Sequence, residues 1–245
     1  MSLYLRSALF LIWFAVVSLI LNVAGLPLLV VPRNATVWAA NKWARLILFG
    51  LEHIAGLGME VRGRVPEGPV LVAAKHFSMW ETIALLTLLR DPAIVIKREL
   101  LWIPLYGWYC LKQGMIPIDR ASGARAIRRM HAAAKRAVEA GRPIVIFPEG
   151  TRKKPGAAPD YKPGVAALYS LLKLPCVPLT HNSGLFWKGW LVRKPGTVVV
   201  EFLEPIPPGL PRQEFMRVLE ERTETVTKRL LEQPVSGENK KRTIG

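Results

Sequence analysis

The chain has 245 residues, 51% of them hydrophobic, and a formal net charge of +16; its mean hydropathy is +0.23. That length bounds it to one sizeable domain, or one domain plus an appendage. Two cysteines, Cys110 and Cys176, lie outside any C-x-x-C spacing and have no histidines at ligand spacing, which excludes a disulfide scaffold and a zinc site. The basic excess points to a polyanionic partner. High apolar content beside it favours a membrane surface over nucleic acid, because anionic leaflets attract Lys and Arg while apolar segments enter lipid.

From Ser7 to Pro32 no residue is charged. As one helix this run would reach roughly 39 Å at ~1.5 Å per residue, beyond the ~30 Å of a bilayer core. Asn22, Gly25 and Pro27 offer a break, so the segment reads either as a span or as a re-entrant hairpin. Arg33, Lys42 and Arg45 follow it and only Arg6 precedes it, which places the downstream chain on the cytoplasmic side. The run is longer than a signal-peptide core, and no A-x-A site follows it. In residues 36–58, Val37, Trp38, Leu46, Ile47, Leu51 and Ile54 fall near helical spacing. Trp38 and Trp43 beside Lys42 and Arg45 suit either a headgroup boundary or a helix docked on the core.

After Gly58 the pattern changes. Residues 59–66 alternate and residues 69–75 form a short buried-type run, both strand-like. Residues 81–90 are helical, a strand opens at 92, and the basic, Ala-rich segment 124–141 is an amphipathic helix closed by Gly141. Residues 142–152 run from strand into loop, 164–174 are helical, 175–182 and 196–206 strand-like, and 212–233 a charged helix. Strands alternating with helices predict an α/β fold with a mixed, largely parallel sheet flanked by helices, behind an N-terminal membrane helix or hairpin. The domain organisation is then 1–58 as anchor, 59–233 as the α/β domain and 234–245 as a disordered tail.

In such sheets ligands gather at the carboxyl ends of strands. Two unusual stretches are placed there: KHFSMWE after the 69–75 strand, and FPEGTR after the 143–147 strand. His76 at the mouth of a helix suits a general base, with Glu81 folding back onto one ring nitrogen. The same residues fit S-x-x-E, a capping box in which Ser78 caps the helix and Glu81 returns to a backbone N–H. On these residues alone both readings stand. If Glu81 is an orienting charge, Glu81→Gln is expected to keep stability near the parent and lose activity. In FPEGTR, Gly150 permits close backbone approach, and Arg152 offers a planar fork for phosphate. Lys153, Lys154 and Lys162 add charge, Lys162 just ahead of a helix N-terminus. Residues 97–120 are aromatic and apolar between Lys97, Arg98 and Arg120, as suits a groove wall with phosphate at one end. His181, within VPLTHNSG, reads as a polar loop residue.

Four blocks in this order resemble the glycerolipid acyltransferases of the 1-acylglycerol-3-phosphate acyltransferase type. They are His76–Glu81, IPLYGWYCLKQGMIPIDR ending at Arg120, Phe147–Arg152, and Val177–Gly184. The likeness covers roughly residues 60–205. Glu81 stands where that family usually has aspartate. The resemblance implies acyl transfer from acyl-CoA or acyl-carrier protein to the sn-2 hydroxyl of lysophosphatidic acid, giving phosphatidic acid, without an acyl-enzyme. It implies His76 as base with Glu81 orienting it. It implies Arg152, Lys97, Arg120 and Lys162, with Glu149, Gly150 and Thr151 of the same block, on the phosphate and acceptor. No cofactor or metal is implied, and the partners are membrane lipids and the acyl donor rather than nucleic acid. The expected place is a bacterial-type inner membrane, catalytic domain on the cytoplasmic face. Another lyso-lipid acceptor, such as a lyso-ornithine lipid or lysophospholipid, or a non-catalytic lipid-binding homologue, are the alternatives.

Overall fold

A computed structural model of the chain describes residues 2–119 and 123–232. Arg120 and the tail expected from residue 234 lie outside them. The strands are β1 (Leu57–Arg62), β2 (Leu71–Ala74), β3 (Ala93–Lys97), β4 (Ile116–Ile118), β5 (Ile144–Ile146), β6 (Cys176–His181), β7 (Trp187–Lys188), β8 (Val192–Arg193) and β9 (Gly196–Phe202). The helices are α1 (Leu3–Ala24), α2 (Arg33–Gly50), α3 (Trp80–Leu88), α4 (Tyr106–Lys112), α5 (Gly123–Glu139), α6 (Gly164–Leu172) and α7 (Arg212–Glu232). The N-terminal break falls where Gly25 and Pro27 predicted it, in a short 3-10 turn over Leu26–Leu29.

Seven strands form one sheet in the order β1-β9-β6-β2-β5-β3-β4. The pairs β6–β2, β2–β5, β5–β3 and β3–β4 are parallel. β9 runs antiparallel to β6 and parallel to β1, which makes the sheet mixed. β2 sits at its centre with all four residues buried, hence its unbroken apolar run. Val72 and Ala74 face a cluster with Phe10, Ala44, Ile47, Trp80 and Ile83, so α1, α2 and α3 cover one face. Leu71 and Ala73 face Met130, Ala134, Leu168, Phe215 and Leu219, so α5, α6 and α7 cover the other. Each large apolar side chain fully buried in these layers contributes roughly 1.5–3 kcal/mol.

α1 and α2 form an antiparallel pair. The Trp13 indole donates to Leu46 O at 3.0 Å, and the Trp43 indole to Ser18 Oγ at 3.0 Å. A Cβ on Gly50 would lie 2.3 Å from the Trp13 ring, so only glycine admits this approach. α1 is fastened to the globular body at both ends. Ser7 Oγ accepts the Arg193 N–H at 3.0 Å, and the Tyr109 hydroxyl donates to Asn22 O at 2.8 Å.

The topology brings the carboxyl ends of β2, β3, β4, β5 and β6 to one edge of the sheet. The segment following β2 begins at Lys75, that following β5 at Phe147, and that following β6 at Asn182.

Candidate active site

The chain leaves the buried end of β2 at Lys75 and turns into α3 at Trp80. Ser78 Oγ accepts the Trp80 N–H at 3.0 Å, fastening the first turn. Glu81, 1% exposed, sits one residue inside the helix and folds back over that turn. Its Oε1 accepts three hydrogen bonds at 2.8 Å, from His76 Nδ1 and from the N–H groups of Phe77 and Ser78. Its Oε2 accepts the hydroxyls of Ser78 at 2.7 Å and Ser183 at 3.2 Å. The catalytic and the capping readings of this stretch therefore describe one carboxylate, which holds the imidazole and the helix start together.

Burial alone would raise the Glu81 carboxyl; in acid, where the facing His181 and then His76 carry charge, their attraction, the His76 hydrogen bond and the Ser78 N–H outweigh it and hold it at about 2. An ionised carboxylate only accepts hydrogen bonds, so His76 Nδ1 carries a proton and Nε2 is the nitrogen left to exchange one. The His76 side chain is 14% exposed. Its ring stacks on Phe147 with centroids 4.2 Å apart and planes at 25°.

The loop after β5 clamps the histidine backbone from both sides. Glu149 accepts the His76 N–H at 3.0 Å, and Lys153 N donates to His76 O at 2.8 Å. Gly150 has φ +67 in the tight turn between them, a conformation that L side chains rarely adopt. Glu149 is 1% exposed, so it lies behind the histidine rather than in the open site. Its other oxygen meets Lys75 Nζ at 2.8 Å, a charge contact off the hydrogen-bond axis. Lys75 is itself buried and reaches Glu224 of α7 at 2.6 Å, where the Tyr161 hydroxyl also donates at 2.9 Å.

Arg152 is exposed and makes no ion pair or side-chain hydrogen bond among the described residues. It lines a cleft of about 90 Å³ with Phe77, Ser78, Met79, Trp187 and Trp190. Thr151 is exposed beside it. Lys97, at the end of β3, is 56% exposed and pairs with Glu99 at 3.4 Å. Lys162 is 56% exposed, pairs with Asp160 at 2.7 Å and stands two residues before α6. Exposed pairs of this kind contribute only ~0–1 kcal/mol, so an incoming phosphate displaces either partner at low cost. Arg120 belongs to the undescribed segment. A larger depression of about 490 Å³ lies on the α7 side. Glu220, Glu221 and Glu224 line it with Arg217, which Glu221 pairs at 3.0 Å, so the depression is acidic on balance and disfavours phosphate.

Sequence reasoning left three supports of this site unassigned. Ser183 and Lys75 carried no motif of their own. His181 is no loop residue: it ends β6 with no exposed surface, places Nε2 3.0 Å from Lys75 O and lies 3.8 Å from Glu81 Oε2. Burial pushes its pKa down, more than the neighbouring Glu81 raises it, and keeps the ring neutral at neutral pH. The signal for His181 and Ser183 was their place in VPLTHNSG; for Lys75 it was adjacency to His76.

The sequence profile of the Acyltransferase family matches residues 58–182. The 1-acyl-sn-glycerol-3-phosphate acyltransferase of Pseudomonas aeruginosa is 34% identical over 167 residues, covering 66% of this chain and 65% of that protein. The mouse 1-acyl-sn-glycerol-3-phosphate acyltransferase alpha is 31% identical over 172 residues, covering 67% of this chain and 60% of that protein. The chain thus spans a little under two thirds of the length of these relatives. The crystal structure of the 1-acyl-sn-glycerophosphate acyltransferase PlsC of Thermotoga maritima superposes with a TM-score of 0.74 over 93% of this chain and 98% of that one. At 20% identity, that likeness speaks for the fold. With the family profile spanning both the His76–Glu81 and the Phe147–Arg152 blocks, the chain belongs to the acyltransferase family.

Proposed function

We propose that this protein transfers an acyl chain from acyl-CoA or acyl-carrier protein to the sn-2 hydroxyl of lysophosphatidic acid, giving phosphatidic acid. The observation that carries the reading is a histidine with one nitrogen anchored on an ionised carboxylate, its backbone bonded by the residue after an arginine that is unpaired among the described residues and lines a cleft with Phe77 and Ser78. His76 Nε2 takes the proton of the acceptor hydroxyl as its oxygen attacks the thioester carbonyl. Glu81 stabilises the imidazolium that forms. The tetrahedral intermediate then expels the thiolate, which takes the proton back from His76. Arg152 holds the acceptor phosphate as a bidentate fork, aided by Lys97, Lys162 and Arg120. Cys110 and Cys176 are buried and their thiols are pushed up by burial, consistent with direct transfer and no thiol nucleophile.

The same reading places the protein on the cytoplasmic face of a membrane. α1 has 22 residues, and an 18-residue window of it has a mean hydropathy of 2.3, long and apolar enough to cross. Fastened to the body at Ser7 and Asn22, it suits lying in one leaflet, with Tyr4, Ile12, Leu19 and Ile20 turned to lipid. The test is purified full chain with labelled acyl donor and a panel of lyso-acceptors. Transfer to lysophosphatidic acid, lost in His76→Ala, is the expected result. Robust transfer only to a lyso-ornithine lipid or another lysophospholipid would move the acceptor, and no transfer to any would point to a non-catalytic lipid-binding homologue.

A further inference from the structure

Between β6 and β9 the chain makes the small antiparallel hairpin β7–β8, with Trp187 opposite Arg193 and Lys188 opposite Val192. A two-residue ladder does not hold itself. Arg193 holds it from inside. This residue is 1% exposed, and its guanidinium lies 3.7 Å from the Trp187 ring centroid. It donates to Gly189 O at 3.3 Å, Trp190 O at 3.1 Å and Val192 O at 3.0 Å, so its donors close the turn of its own hairpin. The product is a braced tip whose foremost residues point into solvent: Trp190 is 77% exposed and Leu191 69%. Lys188 and Lys194, both exposed, flank them.

The tip is continuous with the apolar helix. Ser7 Oγ takes the Arg193 N–H, and Phe10 packs edge-on against Trp187 with centroids 6.0 Å apart. Trp190 also borders the cleft that Arg152 lines. An aromatic and an aliphatic side chain between two lysines are the residue types that settle at a headgroup boundary. A protein partner would not account for the join to α1, whose exposed face is wholly apolar.

We propose that the β7–β8 tip is a second membrane-docking element, entering an anionic leaflet through Trp190 and Leu191 with Lys188 and Lys194 on the headgroups. It sets the open side of the Arg152 cleft against the bilayer, so that a lipid acceptor reaches the site without crossing water. This rests on the membrane placement proposed above.

The experiment uses the full chain reconstituted in vesicles containing anionic phospholipid. Cys110 and Cys176 are buried, so Leu191→Cys takes an environment-sensitive fluorophore selectively. Ile12→Cys on α1 and Thr225→Cys on α7 serve as lipid-facing and water-facing references. The expected result is a Leu191 label with blue-shifted emission, quenched by nitroxide on lipid chains and shielded from iodide. Its insertion weakens in uncharged vesicles and in Lys188→Gln/Lys194→Gln. A Leu191 label that matches Thr225 while the Ile12 label sits in lipid overturns the docking element alone. If the Ile12 label is aqueous too, the membrane placement and the docking element both fall.

Discussion

Glu81→Gln separates the two duties of that carboxylate, because glutamine preserves shape and removes charge. Every neighbour of the carboxylate is a donor: His76, Phe77 and Ser78 on Oε1, Ser78 and Ser183 on Oε2. A glutamine carbonyl can keep the first three, while its amide must turn the two hydroxyls into acceptors. The carboxyl stands at about 2 against an ordinary 4.5, which corresponds to at most about 3 kcal/mol of folding stability at neutral pH. That contribution is complete above pH 4.5 and disappears as pH falls to about 2. Glu81→Gln therefore lowers unfolding free energy by about 2–3 kcal/mol, more than the sequence led one to expect, and lowers transfer by about 10²-fold or more. Denaturant unfolding at neutral pH and initial rates at 25 °C read the two effects separately. Ser78→Ala is the control: it removes the cap at about 1 kcal/mol and leaves the His76 contact. A Glu81→Gln enzyme with the stability loss but transfer within about tenfold of the parent would refute the reasoning, since general acid–base assistance is larger than that.

Three further outcomes follow from the same geometry. The buried His181 has its pKa pushed down, so the unfolded chain binds a proton that the folded chain refuses; stability is full above about pH 6.5 and falls as pH drops below it, and His181→Asn should flatten the fall in melting temperature between neutral and mildly acidic pH. Lys75→Met strands Glu149 and Glu224, costing about 3–5 kcal/mol, and adding Glu149→Gln should recover part of that in denaturant unfolding. Arg152→Ala should cut kcat/KM for a phosphate-bearing acceptor by about 10–150-fold, the equivalent of one charged hydrogen bond of ~1.5–3 kcal/mol, mainly through KM, with Arg152→Lys intermediate.

The sheet was legible where burial is two-sided. The apolar runs of β2 and β5 leave no other reading, and the helices that cover them show on their apolar spacing. α4, β4 and β7–β8 were not, because a seven-residue helix makes barely two turns, and strands of two or three residues without a fully buried apolar run carry no period. The 97–120 stretch therefore read as a groove wall without its elements. His76 and Glu81 were visible as a pair because helix reversal joins near neighbours. Their supports were not: Ser183 meets Glu81 across 102 residues and Lys75 meets Glu224 across 149. Such contacts follow from strand order, and β6 lies beside β2 only through a crossover that no local signal announces. His181 misled for the same reason. A polar residue looks like loop until the neighbouring strand supplies a carbonyl to bond it.

The glutamate at position 81 is best understood through those distant contacts. An aspartate would draw the carboxylate back by about 1.5 Å, one carbon–carbon bond. From its place in the first turn of α3, the longer side chain sets one oxygen among three donors of the 76–78 segment and the other against two serine hydroxyls. One of those hydroxyls comes from the turn that follows β6, so the carboxylate joins the segments leaving two strands to the start of a helix. A buried carboxylate with five donors is fully satisfied and has one geometry, and that geometry fixes the His76 ring. The departure from aspartate thus comes with its own compensation, in which the reach of the side chain and the placement of Ser183 depend on each other. Lys75 and Glu149 fix the backbone of the same histidine from the opposite side. Ring and backbone are held by separate buried groups, which is the preorganisation that proton transfer at a single nitrogen requires.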